Sequence, residues 1–159
     1  MIYSITMTTP VGILLLSSDE KYLKSISFDA EVLEDAPWLP EVLTQTRKQL
    51  EEYFFGARKQ FEIPLLAEGT DFQQLVWRKL EDVPFGSTKS YADIARELGS
   101  ENASRAVGMA NGRNPIPIII PCHRIIGHNG KLTGYAGGLE RKKWLLVHEQ
   151  RNSTSGRLF

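Results

Sequence analysis

The chain reads as an α+β protein: a small N-terminal antiparallel-sheet domain with a helix, over residues 1–68, then a mainly helical domain, 69–159, containing a helix-turn-helix. Three observations predict this. Short runs rich in Ile, Leu, Val, Tyr, Phe and Thr fill the first 28 residues, with turn residues between them. After Ala67-Glu-Gly-Thr70 the apolar spacing becomes helical. Two short helical patterns then meet across a Gly-containing turn near Gly99.

Residues 2–7, 11–17 and 22–28 are expected to be strands of an antiparallel meander, broken at Thr9-Pro-Val-Gly12 and Ser18-Asp-Glu-Lys21. From Pro40 to Phe55, Val42, Leu43, Leu50 and Phe54 among charged residues suit a helix that ends at Gly56. Gln60–Leu65 reads as a further short strand. Beyond the boundary at 67–70, Phe72, Leu75, Val76, Lys79 and Leu80 are spaced as one face of a helix that stops before Pro84-Phe-Gly86. Ser90-Tyr-Ala-Asp93 has capping-box form, with Asp in place of the usual Glu, and opens a helix with Tyr91, Ile94, Ala95 and Leu98 on its apolar side. A second helix over about 102–111 is built largely of small residues, among them Ala103, Ser104, Ala106, Gly108 and Ala110, and Arg105 projects from its first turn. Small side chains let such a helix approach a surface closely, and a helix N-terminus favours phosphate oxygens.

Composition narrows the chemistry. No apolar stretch approaches the roughly 20 residues that span a bilayer, and the N-terminus lacks a charged region followed by a long apolar one, so a cytoplasmic protein is expected. A single cysteine excludes an intramolecular disulfide, and with three histidines it provides no paired spacing for a zinc site; no metal is expected. The formal net charge is zero, yet residues 1–101 carry 10 Lys/Arg against 17 Asp/Glu, while residues 102–159 carry 9 against 2. A basic C-terminal segment of this kind can attract a polyanion although the whole chain is neutral.

The lone cysteine lies in Pro121-Cys-His-Arg124, after the proline-studded run Asn114-Pro-Ile-Pro-Ile-Ile-Ile-Pro121. Three prolines each remove a backbone donor, so the run reads as a buried loop rather than a central strand, with Asn114 able to satisfy its backbone groups. A thiol becomes a strong nucleophile as thiolate, and a neighbouring imidazole is the usual group to take its proton. Adjacent side chains point apart in extended chain, so His123 is expected to reach Cys122 through a water. A carboxylate is then needed to orient and stabilise the histidine. Glu149, four residues after Leu145 and three after Leu146, lies beside the apolar face of the last helix and qualifies. Trp144, Leu145 and Leu146 read as core.

These residues resemble the O6-alkylguanine-DNA alkyltransferases. The resemblance is carried by Asn114–Ile126, by Tyr135-Ala-Gly-Gly138 and Trp144-Leu-Leu-Val-His-Glu149 after it, and by Ser90-Tyr91 and Ser104-Arg-Ala-Val-Gly108 before it, over about residues 70–150. It implies direct-reversal DNA repair by a single-turnover protein. An O6-alkylguanine, or O4-alkylthymine, is flipped from double-stranded DNA and its alkyl group moves irreversibly to the protein's own cysteine. Cys122 would be the nucleophile, His123 its base through water, Glu149 the group that holds His123, and Tyr91 the donor toward guanine N3. Asn114 would brace the cysteine loop. Ala103, Ser104, Arg105 and Tyr91 would contact DNA from the minor groove, with Arg105 filling the space left by the flipped base. Tyr135, Ala136 and Gly137 would line the substrate pocket; many relatives have Ser where this chain has Ala136, so a hydroxyl toward O6 is missing. No cofactor is implied, and a monomer is expected. A non-catalytic damage sensor or helix-turn-helix regulator is the alternative, separated from the transferase by Cys122 with His123 and Glu149. A Cys–His hydrolase is disfavoured because no oxyanion-hole glycine pattern precedes the cysteine.

Overall fold

The computed structural model describes residues 1–135 and 137–153, and its chain divides into two compact units, Met1–Glu68 and Gly69–Phe159. In the first, β1 (Tyr3–Thr9), β2 (Gly12–Ser18) and β3 (Leu23–Ser27) form an antiparallel sheet in that order. Alternation along the strands sends Ile5, Met7, Leu14 and Leu16 into the core, and the β1–β2 register sets Ile5 opposite Leu16 and Met7 opposite Leu14. Helix α1 (Glu41–Phe55) packs its Val42, Leu43, Leu50 and Tyr53 side against this sheet and ends where Gly56 takes φ +89°. That left-handed position suits a residue without Cβ.

The strand expected at Gln60–Leu65 does not form. Only Leu65 makes a bridge, to Leu23. Pro64 has no N–H to give to a ladder, and the Glu62 backbone is taken by the Gln49 side chain, which accepts from Glu62 N at 2.9 Å and donates to Glu62 O at 3.3 Å.

The second unit opens with α2 (Asp71–Glu81), started by a capping box in which Thr70 Oγ1 accepts from Gln73 N and Gln73 Oε1 accepts from Thr70 N. Thr70→Ala is expected to cost about 1 kcal/mol, the usual worth of such a cap, as a lower urea midpoint with unchanged slope. The buried stripe of α2 is Val76, Trp77 and Leu80, whereas Phe72 and Leu75 are 36% and 47% exposed. The helix is thus rotated from the face its aliphatic spacing suggests. Trp77 sets the rotation, because it both buries the largest ring of α2 and donates Nε1–H to the Ala110 carbonyl at 2.8 Å.

Lys89–Ser90 forms the short strand β4, and α3 (Tyr91–Glu97) follows, capped by reciprocal Ser90–Asp93 bonds of 2.9 and 3.0 Å as the motif predicts. After Gly99 (φ +81°) and a 3-10 turn at Glu101–Ala103, α4 (Ser104–Gly112) packs against both α2 and α3. These two short helices are the expected helix-turn-helix pair. The chain then runs through the proline-rich loop to a second 3-10 turn, Cys122–Arg124, and to β5 (Ile125–Ile126). β5 pairs in parallel with β4, Lys89 facing Ile125 and Ser90 facing Ile126, which brings the start of α3 to the segment that follows Cys122. Helix α5 (Leu139–Ser153) closes the unit with Lys142, Leu145 and Glu149 as its buried stripe. Of the three residues expected in the core here, only Leu145 is buried. Trp144 stacks on His148 at 4.8 Å between ring centres, and Leu146 lines a cavity beside Glu149.

Candidate active site

The loop before the cysteine is held by its own side chains. Asn114 Nδ2 donates to the Ile120 carbonyl at 2.7 Å, and its Oδ1 accepts from Ile116 N at 2.9 Å, so one amide staples both ends of a turn in which Ile118 sits at φ +75°. A β-branched residue in that region carries backbone strain that the surrounding contacts must offset. Asn111 Nδ2 adds a bond to the Cys122 carbonyl at 3.3 Å. Two amides therefore fix the backbone on either side of the thiol.

Behind the thiol lies a buried ionic cluster. His123 Nε2 and Glu149 Oε2 are 2.7 Å apart, and both side chains are inaccessible. Arg124 reaches the same carboxylate with Nε to Oε1 at 2.7 Å and Nη2 to Oε2 at 3.0 Å, while its Nη1 donates to the Val83 carbonyl at 2.7 Å. This fork geometry is the strong form of a charge-assisted pair. Burial disfavours ionised Glu149, but His123 and Arg124 outweigh it and hold the carboxyl well below the usual carboxylate range. Burial keeps the His123 pKa below its ordinary value despite Glu149. It pushes the Cys122 thiol up to about 11, against the opposing pull of Asn114 and Lys142.

These directions fix the resting state at neutral pH: a thiol, a neutral imidazole and an ionised Glu149. A carboxylate can only accept, so Nε2 carries the imidazole proton and Nδ1 is left as a basic lone pair. Nδ1 is buried and makes no hydrogen bond to any described protein atom. The cluster can therefore accept one proton at Nδ1 and share the resulting charge with Glu149, while the thiol becomes a nucleophile.

The two halves of the chain match two family models over nearly their whole lengths: "6-O-methylguanine DNA methyltransferase, ribonuclease-like domain" over residues 1–67, and the DNA binding domain of the same description over residues 71–151. The chain belongs to the O6-alkylguanine-DNA alkyltransferase family. Among its relatives, the methylated-DNA–protein-cysteine methyltransferase of Methanosarcina acetivorans is 48% identical over 154 residues, covering 94% of this chain and 98% of the relative. The constitutive one of Bacillus subtilis is 44% identical, covering 96% and 98%. Crystal structures of the Mycobacterium tuberculosis O6-methylguanine methyltransferase superpose with a TM-score of 0.86 at 42% identity, covering 96% of this chain and 94% of that one. The same mycobacterial protein has been solved in complex with DNA, again with a TM-score of 0.86.

The other residues expected at the site lie in the same unit as the thiol. The Tyr91 hydroxyl donates to the Thr133 carbonyl at 3.2 Å, and its ring lies against Gly108 of α4, where an added Cβ would make ordinary contact at 3.8 Å. Arg105 is exposed in the first turn of α4, directly after Ser104 and Ala103. Tyr135 is close enough to Cys122 for the two to interact electrostatically, and burial raises its pKa well above the ordinary value. Gly137 is buried and its carbonyl accepts from Arg141 at 2.9 Å. Ala136 lies outside the described residues. No group of His, Cys, Asp and Glu that could hold a metal ion is found among the described residues, and no helix there is long and apolar enough to cross a membrane.

Arg124, a structural residue of the motif by its sequence, clamps the carboxylate that orients His123. Lys142 escaped the sequence reading: it is buried and donates to Thr133 O at 2.7 Å. The signal for Lys142 was available: it precedes Leu145 by three residues and Glu149 by seven, on the same helical stripe.

Proposed function

We propose that the protein repairs DNA by direct reversal, moving an alkyl group from O6-alkylguanine, and from O4-alkylthymine, to Cys122 in a single, irreversible turnover. The observation that carries this reading is buried His123, its Nε2 held by Glu149 and its Nδ1 left basic, next to the chain's only cysteine. In the reaction the thiol proton passes through a water to His123. The Cys122 sulfur attacks the alkyl carbon in line as the bond to O6 breaks, and the released electron pair stays on the purine. Tyr91 gives its hydroxyl proton to N3, so guanine leaves neutral. Asn114 keeps the loop in register for in-line attack. Tyr135 and Gly137 line the pocket.

DNA is bound by residues 69–159, with the exposed face of α4 in the minor groove, Ala103 and Ser104 at the backbone and Arg105 in the stack where the flipped base had been. The protein acts as a monomer in the cytoplasm. Flipping costs unstacking energy that Arg105 offsets on duplex substrate only. Arg105→Ala is therefore expected to slow repair of duplex O6-methylguanine by about ten- to a hundredfold, while reaction with a free O6-benzylguanine-type base changes little. Parallel single-turnover rates on the two substrates check this, and equal losses on both would remove the flipping role.

A further inference from the structure

Along its exposed side, α4 and the residue that ends it present Arg105, Met109 and Arg113 at intervals of about one turn, with Ala106 and Gly112 between them, while Val107, Ala110 and Asn111 face the core. Met109 is 68% exposed, the largest apolar side chain of this helix, and the transfer chemistry above gives it no part. From Asn102 to Leu139 the chain carries no carboxylate. The face is a cationic strip with a flexible apolar side chain at its centre.

Such a strip fits a polyanion with an apolar furrow. In the minor groove of duplex DNA, phosphates on the rims take the cations, and the sugars and base edges between them take an apolar side chain; methionine is among the residues that proteins set there. Continuity with Arg105 gives Met109 the same partner. Its sulfur adds a second property. Met1 and Met7 belong to the other unit, so Met109 and Cys122 are the only sulfur-bearing residues of Gly69–Phe159. Cys122 is 4% exposed, and burial keeps it a thiol, the form that oxidants attack least. Met109 is therefore the sulfur of this unit that a dissolved oxidant reaches first.

We propose that Met109 is a modification site: a peroxide converts its thioether to the sulfoxide, and this weakens the docking of α4 on duplex DNA while sparing the Cys122 thiol. A sulfur lone pair takes one oxygen atom from hydrogen peroxide as the O–O bond breaks, and the other oxygen leaves as water with both hydrogens. Sulfur is oxidised by two electrons and the peroxide is reduced by two. The new oxygen is a strong acceptor, whereas the minor groove presents mainly acceptors, so docking strips its hydration and supplies no donor in return. The inference rests on the docking of α4 on DNA proposed above.

Treatment with hydrogen peroxide followed by peptide mapping tests it. One oxygen is expected on Met109, while Cys122 still takes up iodoacetamide after denaturation. The treated protein is expected to bind a labelled duplex at least about fivefold more weakly, yet to react with a free O6-benzylguanine-type base as fast as before. Methionine sulfoxide reductases of both epimer specificities are expected to restore duplex affinity. Met109→Gln, polar at similar length, is expected to bind duplex weakly without any peroxide. Met109→Leu, compared with its own untreated state, is expected to lose no affinity on treatment. An oxidised Met109 with undiminished duplex affinity overturns the proposal, as does a Met109→Leu chain that loses as much as wild type, or oxidation that reaches Cys122 before Met109. Untreated protein that does not bind duplex overturns the docking of α4 and Met109 with it. The binding measurement needs no alkyl transfer, so a protein that binds but transfers nothing contradicts the repair reading alone.

Discussion

Glu149→Ala is expected to destabilise the fold by about 3–5 kcal/mol and to reduce alkyl transfer to near zero. The substitution removes the single carboxylate that receives His123 and both arms of the Arg124 fork, and it leaves a guanidinium buried without a counter-charge. His123 loses the acceptor that fixes its proton on Nε2, so Nδ1 ceases to be the reliable base. Glu149→Gln is expected to be milder in stability, because one amide oxygen still accepts, but equally poor in transfer. Urea unfolding at pH 7 and single-turnover assays check the two parts separately.

The same cluster sets a pH dependence. Glu149 titrates lower folded than unfolded, so its stabilisation is complete above the unfolded carboxyl value of about 4.3 and is lost as pH falls below it toward the depressed folded value. His123 is also depressed when folded, so the unfolded chain binds its proton first and stability declines as pH drops below about 6.5. Wild type is expected to lose stability on acidification in both windows, with Glu149→Gln losing less in the lower one, where the lowered carboxyls of Asp19, Asp35 and Asp93 still act. A Glu149→Gln chain as acid-sensitive as wild type below pH 4.3 would show that the carboxylate is not the group responsible.

Cys122→Ala is expected to abolish transfer completely while leaving binding to alkylated duplex intact. The thiol supplies the only nucleophilic sulfur near His123, and the loop that carries it is held by Asn114 and Asn111 through backbone groups that the substitution does not touch. Fluorescence anisotropy with a labelled duplex, read beside adduct formation, checks both halves. Loss of binding together with transfer would make Cys122 a structural rather than a reacting group.

How much of this was legible in the sequence depends on whether the information is local. The boundary at Ala67–Thr70, the capping box at Ser90, the stop at Gly56 and the proline-blocked loop follow from a few neighbouring residues, and the structure shows the elements they mark. The His123–Glu149 pair was also readable, because a carboxylate on an apolar helical stripe demands a partner. The face of α2 was not, since aliphatic spacing favours Phe72 and Leu75 while the rotation is set by Trp77 finding Ala110 across the unit. The strand at 60–65 fails for a similar reason: its apolar pattern is adequate, but the Gln49 side chain occupies the Glu62 backbone. Arg124 belongs to the same class. Its motif position was evident, yet its use as the clamp on Glu149 depends on a residue 25 positions away.

The central claim is that Cys122 is a reagent consumed once. Intact mass spectrometry of the wild type after incubation with duplex DNA carrying one O6-methylguanine tests it most directly. One methyl group per chain, located on Cys122 by peptide mapping, with no further turnover when excess substrate is added, is the expected result. An unmodified chain that still binds the damaged duplex would contradict it and leave a damage sensor in its place.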